Sequence, residues 1–549
     1  MSKQRDQELM QVVAAFTAGE LDRRSLVKRV AALGGGAIFG GSVAALALAQ
    51  PAGAAPAGGS RSGALHQEDP APVRGGTVIA ATIDKPVNMD PAFAELYSSM
   101  QVYQNIFSTL VYVDANYAFT PGLAHTWTQI DATTWEFDLV ENAFFHNDEP
   151  FTAKDVVFSV ERVLDPNLGA PNAVFLGAIA TTEALSDYKV RFTLKSPWGS
   201  FLADLAAVLN IVNETAVTTM DPKLNPIGTG PFKMTEWVKD DHVTLERWEK
   251  YHVAERPYLD KVIFTAISDD TVRLTGLQTD ELQWAMQVPL QKVDELKAAG
   301  GDLKVTVGKP YLPDFIYLNG SKAPFDDVRV RQAVAACVNR DEIVQVAFFG
   351  QAEVATEAIY SGNPYYTGLD ALAGGPDIEK AKALLAEAGQ EGLTFDFDGQ
   401  PQVPTQMKSA QVLQQQLKAA GITMNIQNYE SGEWIGRLFS KEYQATISYW
   451  SATLDPAHFY VPGLRSTSGW NITGYGTPEM DALLDAFAQE PDEAARKEAY
   501  KAVITKFNED MPMVPLDNQL QQYWVRANVY GMEPLPTMEI RMESVYIAE

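Results

Sequence analysis

The sequence predicts an α/β protein of two or three lobes, on three observations. At 549 residues the chain is too long for one small core. Thr120 to Val140 alternates apolar and polar residues, as paired antiparallel strands do. From Ile378 onward helical periodicity and strand alternation succeed one another, the order of an α/β lobe.

The folded part is expected to begin at Gly75-Gly76-Thr77-Val78, a turn opening a short strand. Asn88 to Pro91 reads as a turn, and Ser98 to Val111 as a helix packing Val102, Ile106 and Leu110. After the alternating stretch, Thr152 can cap a helix in which Asp155 holds the capping-box position. Val156, Val160, Val163 and Leu164 then share one face, and Asp165-Pro166 ends the helix. Lys189 to Leu194, Val243 to Arg247 and Lys261 to Ile267 read as strands, and Thr271 to Thr279 as a short helix. Asn225 to Phe232 is a glycine-proline turn; it lacks the Gly-Lys-Ser/Thr ending that phosphate cradling needs. Helices follow from Phe325 to Ala333 onward, over Ile378 to Ala388 with Gly389 as its cap, and over Gln406 to Ala420 before a strand at Ile422 to Ile426. Pro478 to Phe487 and Asp492 to Asp510 are helical, with closing strands expected at Val514 to Val525 and Met538 to Tyr546.

Acids outnumber bases 70 to 43, a net charge of −27. Such a surface repels nucleic-acid phosphates and anionic lipid. The single cysteine, Cys337, excludes an internal disulfide framework and sits in a helical pattern as a small core residue. At the N-terminus Arg23-Arg24, with Lys28-Arg29 and a mild apolar run, looks like a twin-arginine export signal over 1–54. A single membrane anchor is the alternative, though five glycines weaken the run. Residues 55–74 read as a flexible linker, and the mature part is expected outside the cytoplasm.

No nucleophile elbow, Walker loop, dinucleotide fingerprint or metalloprotease histidine pair is present, and no cofactor, metal or catalytic residue is indicated. His146 to Glu149 is a dense polar run that a turn explains. Trp434, Tyr449, Trp450, Phe459, Tyr460, Trp470 and Tyr475 crowd together among glycine, serine and asparagine. Rings in such surroundings suit a binding cleft; core packing is the competing use.

The block Phe145 to Leu164 resembles the signature region of extracytoplasmic solute-binding proteins. Gly75-Gly76-Thr77, Asp90-Pro91, Pro121 to Trp127, Gly228 to Phe232, Phe325 to Arg331, Ala381 to Gly389, Asp455-Pro456 and Gly474-Tyr475 extend the likeness in order. Together they resemble family 5, the dipeptide, oligopeptide and nickel type that serves ABC transporters. The resemblance implies a periplasmic-binding-protein-like type II fold with an extra domain inserted in the first lobe (cluster C). Lobe I would hold 75–107, 217–311 and 519–549, the inserted domain 108–216, and lobe II 312–518. It implies a monomer that captures a small peptide or other solute and hands it to a membrane permease. Peptide binders of this kind hold the α-amino group with an aspartate shortly after a lobe II tryptophan. Aligned on Trp450, that position is Thr453, and Asp455 follows in an Asp-Pro turn. Glu95 and Tyr97 match the lobe I segment that reaches the cleft, with Glu95 a possible countercharge; Trp434 and Trp470 are further candidates. A sugar oligomer, cationic metabolite or metal chelate is the alternative ligand, and a secreted hydrolase the alternative class.

Overall fold

Two hydrophobic cores share one central sheet, and a pair of long strands runs between them. The computed structural model describes residues 69–93, 97–449 and 454–548, with 309–311 as backbone alone. The expected export signal, with Arg23 and Arg24, and most of the linker lie outside the described residues. None of the described helices is long and apolar enough to cross a membrane.

Among the described residues the sheet has eleven strands. From one edge they are Thr423–Asn428, Thr394–Gly399, Ala445–Tyr449, Leu303–Leu318, Met513–Arg526, Trp284–Met286, Thr77–Thr82, Lys261–Ala266, His242–Arg247 and Phe232–Val238. Ala352–Val354 pairs with Met513–Arg526 off this path. Two strands, one on each side of the ribbon, pair in parallel, while the edge through His242–Arg247 and Phe232–Val238 is antiparallel. Thr77–Thr82 is parallel to both neighbours, as is Thr394–Gly399. Helices Asp270–Gln278 and Pro404–Leu417 supply crossovers that parallel pairing needs.

The central ribbon is Leu303–Leu318 against Met513–Arg526, paired from Leu303↔Arg526 to Tyr317↔Met513. Its register slips three times, between Val307 and Pro310, Pro310 and Leu312, and Asp314 and Phe315. Pro310, flanked by two of the slips, and Pro515, opposite Phe315 at the third, have no N–H to give the ladder, so slips there are physically expected. A side chain at Gly308 would meet Gln521 and Pro534 at 2.6 Å, which keeps that position bare. One end of the ribbon packs Val525 with Val78, Phe232 and Trp284; the other packs Ile316 and Val514 with Val334, Leu413 and Ile447.

A separate four-stranded antiparallel sheet takes Ala124–Gln129, Thr134–Leu139, Lys189–Leu194 and Ile179–Ser186 in that spatial order. Phe137, Phe192 and Phe201 meet edge-on at its centre, with ring centroids 5.4–6.4 Å apart. The helix Ala153–Leu164 covers it, burying Val156, Val160 and Val163. The Asp155 carboxylate accepts the Thr152 N–H at 2.8 Å, the reciprocal half of a capping box. Arg162, on the polar side of the sequence pattern, instead clamps Asp90 with two bonds of 2.9 and 2.6 Å.

Two expected elements are corrected. The helix expected over Ser98 to Val111 is Tyr97–Tyr103 only. Beyond it the carbonyls of Asn105 and Ile106 accept from Phe232 and Gly230, which diverts the backbone from its helical ladder. A Cβ at Gly228 would stand 2.1 Å from the Ile106 carbonyl, so that turn requires glycine. Met538 to Tyr546 is not a strand; only Tyr546–Ile547 pairs, with Val529–Tyr530. Asn105 takes the ladder's place, donating to Ile540 O and accepting from Met542 N, both at 2.9 Å.

Candidate ligand-binding site

A cleft of about 1430 Å³ opens between the two cores. One wall comes from 83–84, 97–104, 268–291 and 537–538, and the facing wall from 347–351, 402–408, 435–449 and 454–470; residues 171–175 and 207–208 form a third patch. The crossing ribbon contributes Leu312, Gln519 and Leu520.

The first wall sets acidic and polar groups among Ile83, Met100, Met286, Val288 and Leu290. Tyr97 opens its helix and donates through Oη to the Met538 carbonyl at 2.9 Å. Asp84, Asp269 and Asp270 line the cleft beside it. Asp269 caps the helix Asp270–Gln278, accepting from Val272 N at 2.9 Å. Arg273 lies beneath, buried, and spends its N–H groups on the carbonyls of Ile267, Ser268 and Gln287.

The second wall is apolar. Phe349, Ile435, Phe439, Tyr449 and Trp470 line it and are all exposed. Phe439 and Trp470 meet edge-on at 5.5 Å. Lys408 Nζ lies 4.6 Å from the Phe349 ring centroid, its one charge held against an aromatic face.

Under the ribbon sit two buried carboxylates, Asp314 and Asp517, paired across the strands. Asp314 accepts from Gln406 at 2.7 Å and Gln519 at 3.0 Å, yet burial pushes it up to about 6. Asp517 accepts no hydrogen bond among the described residues. Burial, then the charge of Asp314, raises its pKa well above the ordinary carboxylate value.

At the far end of the cleft His458 reaches Asp204 at 2.5 Å. Asp204, on the helix Phe201–Val208, also accepts from Trp198 at 2.8 Å and Ser200 at 3.0 Å. The bond joins the four-stranded region to the apolar wall. Gly199 N–H adds a second link to Ala488 O at 2.9 Å, and a Cβ there would meet Arg496 Nε at 2.2 Å.

Of the residues singled out in the sequence, Tyr97 and Trp470 line opposite walls of this cleft. Glu95, Trp450 and Thr453 lie outside the described residues. Trp434 is in the core beside Leu438 and Tyr443, its indole N–H donating to Thr446 Oγ1 at 3.0 Å. Asp455 is committed to Arg496 through two bonds of 2.6 and 2.7 Å, with both side chains buried. Phe459, Tyr460 and Tyr475 are core rings as well. Sequence reasoning missed Phe349, Lys408, Ile435, Phe439 and His458. A signal existed for two of them. On the helix Ser431–Phe439, Trp434 and Leu438 form one i,i+4 apolar pair and Ile435 and Phe439 a second, more than one buried face needs.

A cleft between two α/β cores joined by a crossing ribbon is the architecture of a solute receptor. The family described as bacterial extracellular solute-binding proteins, family 5, matches residues 118–471, and the chain belongs to it. Its fold is the mixed α/β periplasmic-binding fold of cluster C, and members of the family are binding receptors, not enzymes. The chain is 27% identical to a glutathione-binding protein, GsiB, of Pectobacterium atrosepticum, over 78% of this chain and 85% of that one. It is 29% identical to di/tripeptide-binding protein 2 of Pseudomonas aeruginosa, over 84% and 93%. The solved DppA of Helicobacter pylori, in complex with the peptide STSA, superposes with a TM-score of 0.77 at 26% identity, covering 87% of this chain and 99% of that one.

Proposed function

We propose that the chain captures a peptide or peptide-like solute in this cleft, closes on it about the crossing ribbon, and delivers it to a membrane permease. It is the solute-binding component of an ABC importer and neither makes nor breaks a bond. The carrying observation is a cleft whose walls belong to two cores joined by Leu303–Leu318 and Met513–Arg526. Contacts a solute makes to both walls exist only when the walls approach, so the solute shifts the population toward the closed form. The division expected at 311/312 and 518/519 supports a hinge here, since Leu312 faces Gln519 in the ladder. The irregular register supports it too, because a slipped ladder bends more readily than a continuous one.

The glutathione- and peptide-binding relatives support a peptide-like ligand. Tyr97 and Trp470 are proposed as contacts from opposite walls, with Glu95, Trp450 and Thr453 in the same role. Asp455 and Trp434 act through the fold instead. Export by the twin-arginine route through Arg23 and Arg24 and a monomeric state complete the proposal. One observation favours a non-peptide solute as a second reading: Asp455 is spent on Arg496 and has no charge left for a free α-amino group.

Mass spectrometry of solute released from protein purified from its exporting host tests the reading. A peptide or peptide-like mass that raises the melting temperature on return is the expected result. No released solute, and no shift with a broad peptide panel, would contradict it.

A further inference from the structure

Exposed aromatic side chains are distributed unevenly over this molecule. Among the described residues five aromatics are exposed, and four of them, Phe349, Phe439, Tyr449 and Trp470, line the one cleft. Ile435 joins them at 49% exposure. Rings left in water cost free energy unless something covers them, so a patch gathered into one cavity marks ligand surface. Across the cleft the chemistry is opposite. Asp84, Asp269 and Asp270 line the first wall; one guanidinium beside them, Arg273, gives Nε and Nη1 to three backbone carbonyls and offsets part of their charge, leaving the acids in excess three to one. The apolar wall offers a single ammonium, Lys408, already lying on a ring. The net charge of −27 adds a field that draws cations in. The volume exceeds what one drug-sized molecule fills.

We infer that the cleft selects solutes of several residues' size that carry a large ring-bearing apolar face and a net positive charge. The apolar face lies on Phe349, Ile435, Phe439, Tyr449 and Trp470, and the cationic end faces Asp84, Asp269 and Asp270. This deepens the receptor reading and rests on it. Either wall alone would be ambiguous, since rings bind apolar groups of any charge and surface carboxylates are commonplace. Their opposition across one cavity couples the two requirements, because a closing cleft desolvates both ends of the solute together.

Calorimetry and thermal-shift measurements on the mature chain, with three matched tripeptide amides, provide the test. The probes are lysyl-phenylalanyl-phenylalanine amide, its glutamyl counterpart, and lysyl-diglycine amide. The first is expected to bind at least about tenfold more tightly than either of the others. Phe439→Ala and Trp470→Ala should each weaken it by about tenfold, with binding read against each variant's own ligand-free melting temperature. Asp84→Asn with Asp269→Asn should remove the preference for lysyl over glutamyl and spare the preference for rings; asparagine preserves the cap at 269. Equal or tighter binding of the glycyl or glutamyl probe would overturn the inference and leave the receptor reading standing. Failure of every probe, together with a broad peptide panel, to bind would overturn both.

Discussion

Two buried acid–base pairs stand almost side by side in this chain and do different work. Asp455 and Arg496 close a two-bond ion pair inside the apolar-wall lobe. Asp204 and His458 close a single bond between that lobe and the four-stranded region. Burial raises Asp455, but Arg496 outweighs it and holds the carboxyl below its usual range. Burial lowers His458, but Asp204 at 2.5 Å and Asp455 beyond outweigh both burial and Arg496, so the imidazole lies above its ordinary value. The guanidinium keeps its charge at any ordinary pH and suits a fixed scaffold. The imidazole changes charge near neutrality and suits a contact that can open. Similar pairs thus serve fold in one case and lobe position in the other.

Breaking the scaffold pair should give the largest effect. Arg496→Ala leaves Asp455 buried and uncompensated, at a cost of about 3–5 kcal/mol. Urea unfolding should find that loss, and Asp455→Ala with Arg496→Ala should cost less than the two single changes added together. A shift no larger than a surface substitution gives would remove the distinction between the pairs. His458→Gln should cost less, about 1.5–3 kcal/mol, the value of one charge-assisted hydrogen bond. Unlike the scaffold change in kind, it should also weaken solute binding, because it loosens a contact between regions that close together; calorimetry reads this directly.

The third effect is a dependence on pH. A raised histidine pKa means the bridge contributes fully below the ordinary value of 6.5 and is lost as pH rises through the higher, bridged value. Solute affinity should therefore fall as pH rises through that higher value, and His458→Gln should flatten that slope. The scaffold pair behaves oppositely. Its stabilisation is present above the ordinary carboxyl value of 3.8 and is lost as pH falls through the depressed one. An affinity that stays flat in the unmodified chain as pH rises from the ordinary histidine value through the alkaline range would count against the bridge. The smallest effect is Trp434→Phe, which removes one hydrogen bond to Thr446. It should cost about 1 kcal/mol in urea and leave solute affinity unchanged.

Local rules of sequence read much of the fold. The helix Ala153–Leu164 has the start, buried face and stop that its capping residues and Asp165-Pro166 imply. The helix Ile378–Glu387 ends before Gly389, whose φ of 67° is the left-handed conformation that its glycine foretells. Long-range satisfaction was not legible. Asn105 helps end a helix through its carbonyl bond from Phe232, and replaces a strand through partners more than 400 residues away. The ribbon strand Leu303–Leu318 was missed because Gly308, Pro310 and Pro313 interrupt its alternation, the first two where its register slips.

The site was legible by half. A crowd of rings announced a cleft, but only burial separates Tyr449 and Trp470, on its wall, from Trp434, Phe459 and Tyr460, in the core. Asp455 has the composition of a ligand-binding acid. Its partner Arg496, forty-one residues on, decides otherwise.

Solute-driven closure about the ribbon is the central claim, and one distance tests it most directly. Cys337 is buried, with its thiol pushed up to about 12, so it resists labelling. Val238→Cys and Val346→Cys, at exposed positions on the two sides of the ribbon, accept spin labels selectively. Pulsed electron–electron resonance should give a distance distribution that shortens and narrows on adding a solute shown by calorimetry to bind. The same distribution with and without saturating solute would contradict closure.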